Sequence, residues 1–471
     1  FGTALTDDFF PVRPGGDIAF FSGVLKSLDE QGGWDDAYIA ERTVGAGELR
    51  AHLKTLDWDE LVKESGIEKS ELERFATLYK NAKRTVLLYS MGLTQYTFGV
   101  ENVKMVVNVA LARGNLGREK CGIIPIRGHS GVQGTAECGV DSDKLPGSQE
   151  INEESCARFE KAWGHPIPHR KGLKAAHALD AAADGKMDFL YLVGGNFLET
   201  MPDPDNARQG LSRPKVRIHQ DIVLNTSTLV DAGERVLVLP AQTRYESGGT
   251  STSTERRIRY SPKIVDPEGA RIPEAKAEWE IPALIGRALL GEKENGAFAW
   301  QSTDEIRAEM GALMPMYQGI ETLKAEGEFV QWGGARLGQN GFPNMPEGRA
   351  VFTPLALPAT AIPDGKFRLA TRRGKQFNSI TYGAYDPITG STSRADVLFA
   401  KADLAALGLK DGDPIKLRSD LGEMRAIAKS GPCRRRHIQA FWPESNVLIG
   451  RRYDPASGEP DYNALVEVER A

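Results

Sequence analysis

DFLYLVGGN at Asp188–Asn196, KVRIHQD at Lys215–Asp221 and RVLVLPA at Arg235–Ala241 are three short apolar runs, each ending abruptly in small or polar residues. Such runs read as buried strands, and the helix-compatible stretches between them read as crossovers. Strand, helix, strand, helix, strand predicts a doubly wound parallel sheet in an α/β protein. Ligands of such sheets bind beyond the carboxyl ends of the strands, where Asn196, Gln220 and Asp221 stand. No GxGxxG follows any of the three runs, which argues against an ordinary nicotinamide-dinucleotide fingerprint.

Upstream, DIAFFSGVLKSLDE (Asp17–Glu30) has helical spacing, with Asp17 as N-cap after a Pro-Gly-Gly turn. TVLLYS (Thr85–Ser90) reads as another buried strand, ending at Met91-Gly92. GVENVKMVVNVALARGN (Gly99–Asn115) reads as a helix closed by Gly114 and Asn115. It is followed by RGHSGVQGTAECGVDSDKLPG, with glycines at 128, 131, 134, 139 and 147 and few large apolar side chains. Such a loop brings bare backbone close to a neighbour and presents Arg127 and His129 there; a long surface turn is the simpler alternative. A guanidinium offers a fork of donors that matches a carboxylate or oxyanion, and an imidazole can relay a proton. The hydroxyl-rich stretch Gly248–Arg257 (GGTSTSTERR) suits either a wrap around polyphosphate or a flexible linker.

Beyond Pro363 the pattern changes. KFRLATRR, DVLFAK, PIKLRSD, EMRAIAK, HIQAFWP and NALVEVE are short strand-like runs separated by turns, which predicts a compact β-barrel.

Composition narrows the class. A chain of 471 residues, 41% hydrophobic and 26% charged, is that of a globular protein with two to four domains. A net charge of -5 carries no nucleic-acid signature, and no apolar run reaches the ~20 residues of a membrane span. No signal peptide is visible, and a cytoplasmic location is the expectation. The cysteines at 121, 138, 156 and 433 form no CxxC pair, which leaves no local iron–sulfur or structural zinc site. The histidines do not cluster either, and no metal-ligating residue is assigned.

The glycine loop and the segments RPGGD (Arg13–Asp17), MGLTQ (Met91–Gln95), TRRGKQFNS (Thr371–Ser379) and NVLIGRRYDPASGEPDYN (Asn446–Asn463) resemble the molybdopterin oxidoreductases of the dimethyl sulfoxide reductase superfamily. The nearest branch is that of formate-dehydrogenase-like alpha subunits. The resemblance runs through nearly the whole chain. It implies Rossmann-like α/β domains over 1–150 and 151–362 and a double-psi barrel, like that of aspartate decarboxylase, over 363–471. It implies bis(molybdopterin guanine dinucleotide) carrying molybdenum or tungsten, with Arg127 beside the metal. Gly16, Asp17, Met91, Gln95, Asn196, Gln220, Asp221, Thr371, Arg372, Lys375, Gln376, Asn378, Ser379, Asn446 and Asn463 fall at its cofactor-holding positions. Asn463 stands where many relatives have lysine, and His129-Ser130-Gly131 replaces the Gln-Asn-Asn usual in formate dehydrogenases proper. The chain begins at Phe1, so the resemblance implies a missing N-terminal part that supplies a [4Fe–4S] cluster and the metal's side-chain ligand. The implied activity is two-electron oxidation or reduction of a small substrate, with formate to carbon dioxide as the candidate. An electron-transfer subunit is a candidate partner, and the segment alone would be inactive. A non-catalytic scaffold of the same fold in an electron-transfer complex is the alternative.

Overall fold

The computed structural model describes residues 6–129, 131–264, 272–290, 298–373 and 383–471. The chain divides into two units. One comprises Phe1–Ile123, Glu199–Asp205 and Arg336–Ala471, the other Ile124–Leu198 and Asn206–Ala335. The barrel and the N-terminal helices lie in one of them. Contacts between residues hundreds of positions apart make this union. The Arg434 guanidinium donates to the Gly66 carbonyl at 2.7 Å, and the Val100 amide donates to Asp454 at 3.1 Å. Local periodicity carries no trace of such pairs.

In this first unit, helix α1 spans Asp17–Glu30 as expected. It buries Ile18, Val24, Leu25 and Leu28 almost completely. Helix α2 (Lys69–Asn81) packs on it where Gly23 faces Leu72, and a methyl at Gly23 would lie 2.9 Å from the leucine. The N-cap of α1 is Gly16, not Asp17, which is the first helical residue. The Gly16 carbonyl accepts the first helical bond, from the Phe20 amide at 2.9 Å.

Strand β1 (Val86–Tyr89) forms where TVLLYS predicts it, but its alternate side chains are not buried: Val86 is 40% and Leu88 59% exposed. It belongs to a two-stranded sheet, in which Leu87 packs against the helical core while Val86 and Leu88 face away from it. Helix α3 (Gly99–Ala112) ends in a left-handed Gly114, whose neighbour Asn115 donates its amide to the Ala110 carbonyl at 2.9 Å.

In the second unit, the glycine loop contains one short helix, α4 (Val132–Glu137). Strands β2 (Phe189–Val193), β3 (Val216–Asp221) and β4 (Arg235–Pro240) form a parallel sheet in chain order, as the three apolar runs predict. The central β3 is the buried one: Arg217, His219 and Gln220 are at most 1% exposed. Gly249–Thr252 and Arg257–Ser261 are strands β5 and β6 of an antiparallel hairpin, so the hydroxyl-rich stretch is not a flexible linker. Helix α5 (Thr303–Leu313) follows, and strand β7 (Phe329–Gln331) completes the order β7-β6-β5. Ile258, Met314, Tyr317, Ile320 and Leu323 form the core beneath this sheet.

All six runs predicted beyond Pro363 are strands. They are β8 (Phe367–Arg372), β9 (Asp396–Phe399), β10 (Pro414–Arg418), β11 (Glu423–Ser430), β12 (His437–Phe441) and β13 (Asn463–Arg470). They close a barrel in the order β8-β12-β9-β11-β10-β13, with β8–β12 and β9–β11 parallel and the other pairs antiparallel. Closure removes exposed edges, and Leu369, Val397, Phe399, Ile415, Leu417, Ile438 and Val466 fill the interior.

Candidate functional site

In the second unit, the Arg127 and His129 side chains are exposed and make no hydrogen bond or ion pair among the described residues. The His129 carbonyl accepts the Val132 amide at 3.4 Å, tying this segment to the start of α4. Glycine is needed inside that helix, because a Cβ at Gly134 would lie 2.8 Å from the Thr252 hydroxyl on β5.

The three strand-end residues also lie in this unit. Asn196 bridges the loop after β2 to the loop after β3: its amide nitrogen donates to Thr226 Oγ1 at 2.9 Å and its oxygen accepts from Ser227 Oγ at 2.7 Å. Gln220 is buried, accepts from the Tyr191 hydroxyl and donates to the Glu278 carbonyl at 3.0 Å. Asp221 caps its own loop. Its carboxylate accepts from the Ile222 amide at 2.7 Å and the Asn225 side chain at 3.1 Å. Beneath them Arg217 donates through Nε to His219 Nε2 at 2.7 Å and through Nη2 to the Ser227 carbonyl at 3.1 Å. Burial, reinforced by the Arg217 charge, lowers His219 to about 4, so it stays a neutral acceptor.

In the first unit, the sequence-marked residues gather around the start of α1 and the start of β13. Gly15 takes a left-handed turn, and Gly16 fits only as glycine, since a Cβ would lie 2.5 Å from the Glu64 carbonyl. Burial pushes the Asp17 carboxyl up to about 6. Tyr96, which sequence reasoning missed, is buried beside Asp17, and its acidity is lowered by burial and by that carboxylate. Met91 begins a single turn whose carbonyl accepts the Gln95 amide at 3.0 Å. The Gln95 carbonyl accepts the Asn463 amide group at 3.1 Å, and the same group donates to Asp461 at 2.8 Å. Arg452 pairs with Asp461 at 3.2 Å and donates to the Asn463 carbonyl at 2.8 Å. Burial raises both Asp461 and Glu459 above the usual carboxylate range. These carboxylates lie inside YDPASGEPDYN, so their signal was present, but only the fold shows them buried.

On the barrel, Thr371 pairs with Ala440 in the β8–β12 register. Arg372 is engaged by the protein: it donates to Asp386 at 2.5 Å and Gln439 at 3.1 Å. Asn446 is 1% exposed and donates to the Glu199 carbonyl at 2.7 Å. Lys375, Gln376, Asn378 and Ser379 lie outside the described residues.

Residues 72–287 match the molybdopterin oxidoreductase family, and residues 350–466 match the molydopterin dinucleotide binding domain. The chain belongs to the molybdopterin oxidoreductase family. It is similar to protein YdeP of Shigella flexneri, 29% identical over 99% of this chain and 64% of that protein. It is also similar to a formate dehydrogenase alpha subunit of Methanococcus maripaludis, 29% identical over 90% of this chain and 63% of the other. The chain thus spans less than two thirds of the length of either relative. Its fold is shared with acetylene hydratase from Pelobacter acetylenicus, at a TM-score of 0.71 and 16% identity, over 99% of this chain and 72% of the other.

The residues just beyond the C-terminal end of β12, with Arg372 on the paired β8, fit a pterin dinucleotide. Trp442 Nε1, Asn446 Oδ1 and Arg372 Nε are buried without a partner among the described residues. Two donors and an acceptor left in this way answer the carbonyls and ring N–H groups of a pterin. No helix among the described residues is long and apolar enough to cross a membrane.

Proposed function

We propose that this chain is the catalytic part of a molybdopterin-dependent oxidoreductase acting on a small carboxylate or oxyanion, with formate as the first candidate. The observation that carries the reading is Arg127: an exposed guanidinium, unpartnered among the described residues, near His129 on a glycine-rich loop, in a chain otherwise equipped to hold a dinucleotide. Relatives named as formate dehydrogenase alpha subunits support the substrate class. Asn446, Trp442 and Arg372 would hold one pterin in the first unit, and Asn196, Gln220 and Asp221 a guanine nucleotide in the second. The bound bis-pterin metal, molybdenum or tungsten, supplies the exchange of two electrons. Arg127 binds the substrate's two oxygens through its fork and balances their charge, while the glycines keep side chains out of its way. The oxidation of formate releases carbon dioxide, two electrons and one proton, and an imidazole nitrogen of His129 receives that proton. Metal and pterin content of the full-length protein, with turnover of formate and a panel of small oxyanions, tests the reading. Stoichiometric molybdenum or tungsten with turnover supports it, and a metal-free, pterin-free protein sinks it.

A further inference from the structure

A clamp beneath the Arg127 loop uses none of the catalytic or cofactor-holding positions assigned from the sequence. Helix α4 has only six residues, contains Gly134 and has Gly131 as an N-cap that offers no side-chain hydrogen bond. A helix this short does not hold its shape alone and needs tertiary anchors. Its last residue, Glu137, is 7% exposed, a costly place for a carboxylate without strong partners. Two partners are present. Gln133 Nε2 donates to Glu137 Oε1 at 2.9 Å, and the Tyr317 hydroxyl donates to Glu137 Oε2 at 2.5 Å.

The Tyr317 hydroxyl also lies 3.0 Å from Thr252 Oγ1 on β5. Its one proton is committed to Glu137, so the threonine donates to the tyrosine oxygen. The Tyr317 ring is 1% exposed and sits in the core with Ile258, Met314 and Ile320. This core fixes the hydroxyl in space. Burial pushes its acidity far from neutral pH, so it is a constant donor. The Glu137 carbonyl meanwhile accepts the Gly147 amide at 2.7 Å, closing the loop behind the helix.

We propose that Tyr317 is a positioning residue for Arg127 and His129: through Glu137 and Thr252 it locks α4 onto the β5–β6 sheet and so sets the segment that precedes the helix. The inference rests on the reading of Arg127 as the substrate-binding group. Tyr317→Phe in the full-length protein tests it, because the ring and its packing stay while the hydroxyl goes. Amide hydrogen exchange across residues 131–138 is expected to speed up ~10-fold or more, the scale of a lost buried hydrogen bond to a charged group. Exchange in the β2–β4 sheet and metal content should stay as they are. Turnover should fall ~10-fold with KM and kcat moving in the same proportion as in Arg127→Lys, since the same group is disturbed. A purely structural role would instead lower the active fraction and leave KM unchanged, which overturns the proposal. Unchanged exchange over 131–138 overturns it whatever the turnover. If Arg127→Lys itself leaves turnover intact, the functional reading falls, and the exchange data still decide the clamp. Should Tyr317→Phe fail to fold, Thr252→Val removes one arm of the clamp and is read by the same exchange measurement.

Discussion

The barrel end and the Arg127 loop treat their polar side chains in opposite ways. Around the barrel, Arg372 is paired with Asp386, Asn463 is held by Asp461 and the Gln95 carbonyl, and Asn446 is anchored to the Glu199 carbonyl. On the loop, Arg127 and His129 are exposed and unpartnered among the described residues, while the helix behind them is tightly bound. A large cofactor that stays bound favours groups fixed in advance, because the ordering cost falls on folding. A substrate that comes and goes favours a solvated reactive group on a rigid base.

The largest expected effect probes the fixed side of this contrast. Arg372→Ala strands the fully buried Asp386 without its cation, and should cost the first unit about 3–5 kcal/mol in denaturant unfolding. If the variant is as stable as the parent but has lost its pterin, Arg372 is a cofactor contact first and the contrast weakens.

Asp17 and His219 set opposite pH responses in the two units. The Asp17 carboxyl, raised from 3.8 to about 6, holds its proton in the folded state after the unfolded chain has lost it. Its contribution is full below pH 3.8 and is lost as pH rises through about 6, roughly 3 kcal/mol at about 1.36 kcal/mol per unit. Asp17→Asn should therefore unfold less readily than the parent at pH 8 and show little difference at pH 4. His219, lowered from 6.5 to about 4, contributes above pH 6.5 and loses that contribution as pH falls towards 4. Local hydrogen exchange in β3 should accelerate over that acid window and not on the alkaline side. A β3 that exchanges evenly across it would show His219 protonated in the fold.

Asp221→Ala is expected to lower pterin content by an amount reflecting roughly 1.5–3 kcal/mol of lost hydrogen bonding, with the sheet intact. Part of that loss is loop order, because Asp221 caps Ile222 and Asn225. An unchanged pterin-to-protein ratio would remove Asp221 from the nucleotide site. The smallest effect is reserved for His129→Gln, which should reshape the pH profile of turnover and leave its maximum within about tenfold. An identical profile would make His129 a bystander.

Much of this architecture was legible in the sequence, for a physical reason in each case. The barrel strands, β2 to β4 and α1 announce themselves by period and by turn residues, which are local properties. The exposure of β1, the hairpin at Gly249–Ser261 and the union of the N-terminal helices with the barrel depend on what packs against them. The site divides the same way. Arg127 stands out because glycines surround it, and Asn196, Gln220 and Asp221 because strands end there. The Tyr317–Glu137 bond, the Arg372–Asp386 pair and the burial of Asp17 beside Tyr96 join residues that carry no shared pattern along the chain.

The central claim is that the loop reacts and the barrel holds. It is tested most directly by measuring kcat/KM and metal content on the same preparation of full-length Arg127→Lys. Lysine keeps the charge and loses the bidentate fork, so kcat/KM for the best substrate should fall ~10²-fold, about 3 kcal/mol, with metal content equal to the parent's. Unchanged kcat/KM, or a loss of turnover that only follows a loss of metal, would contradict the account.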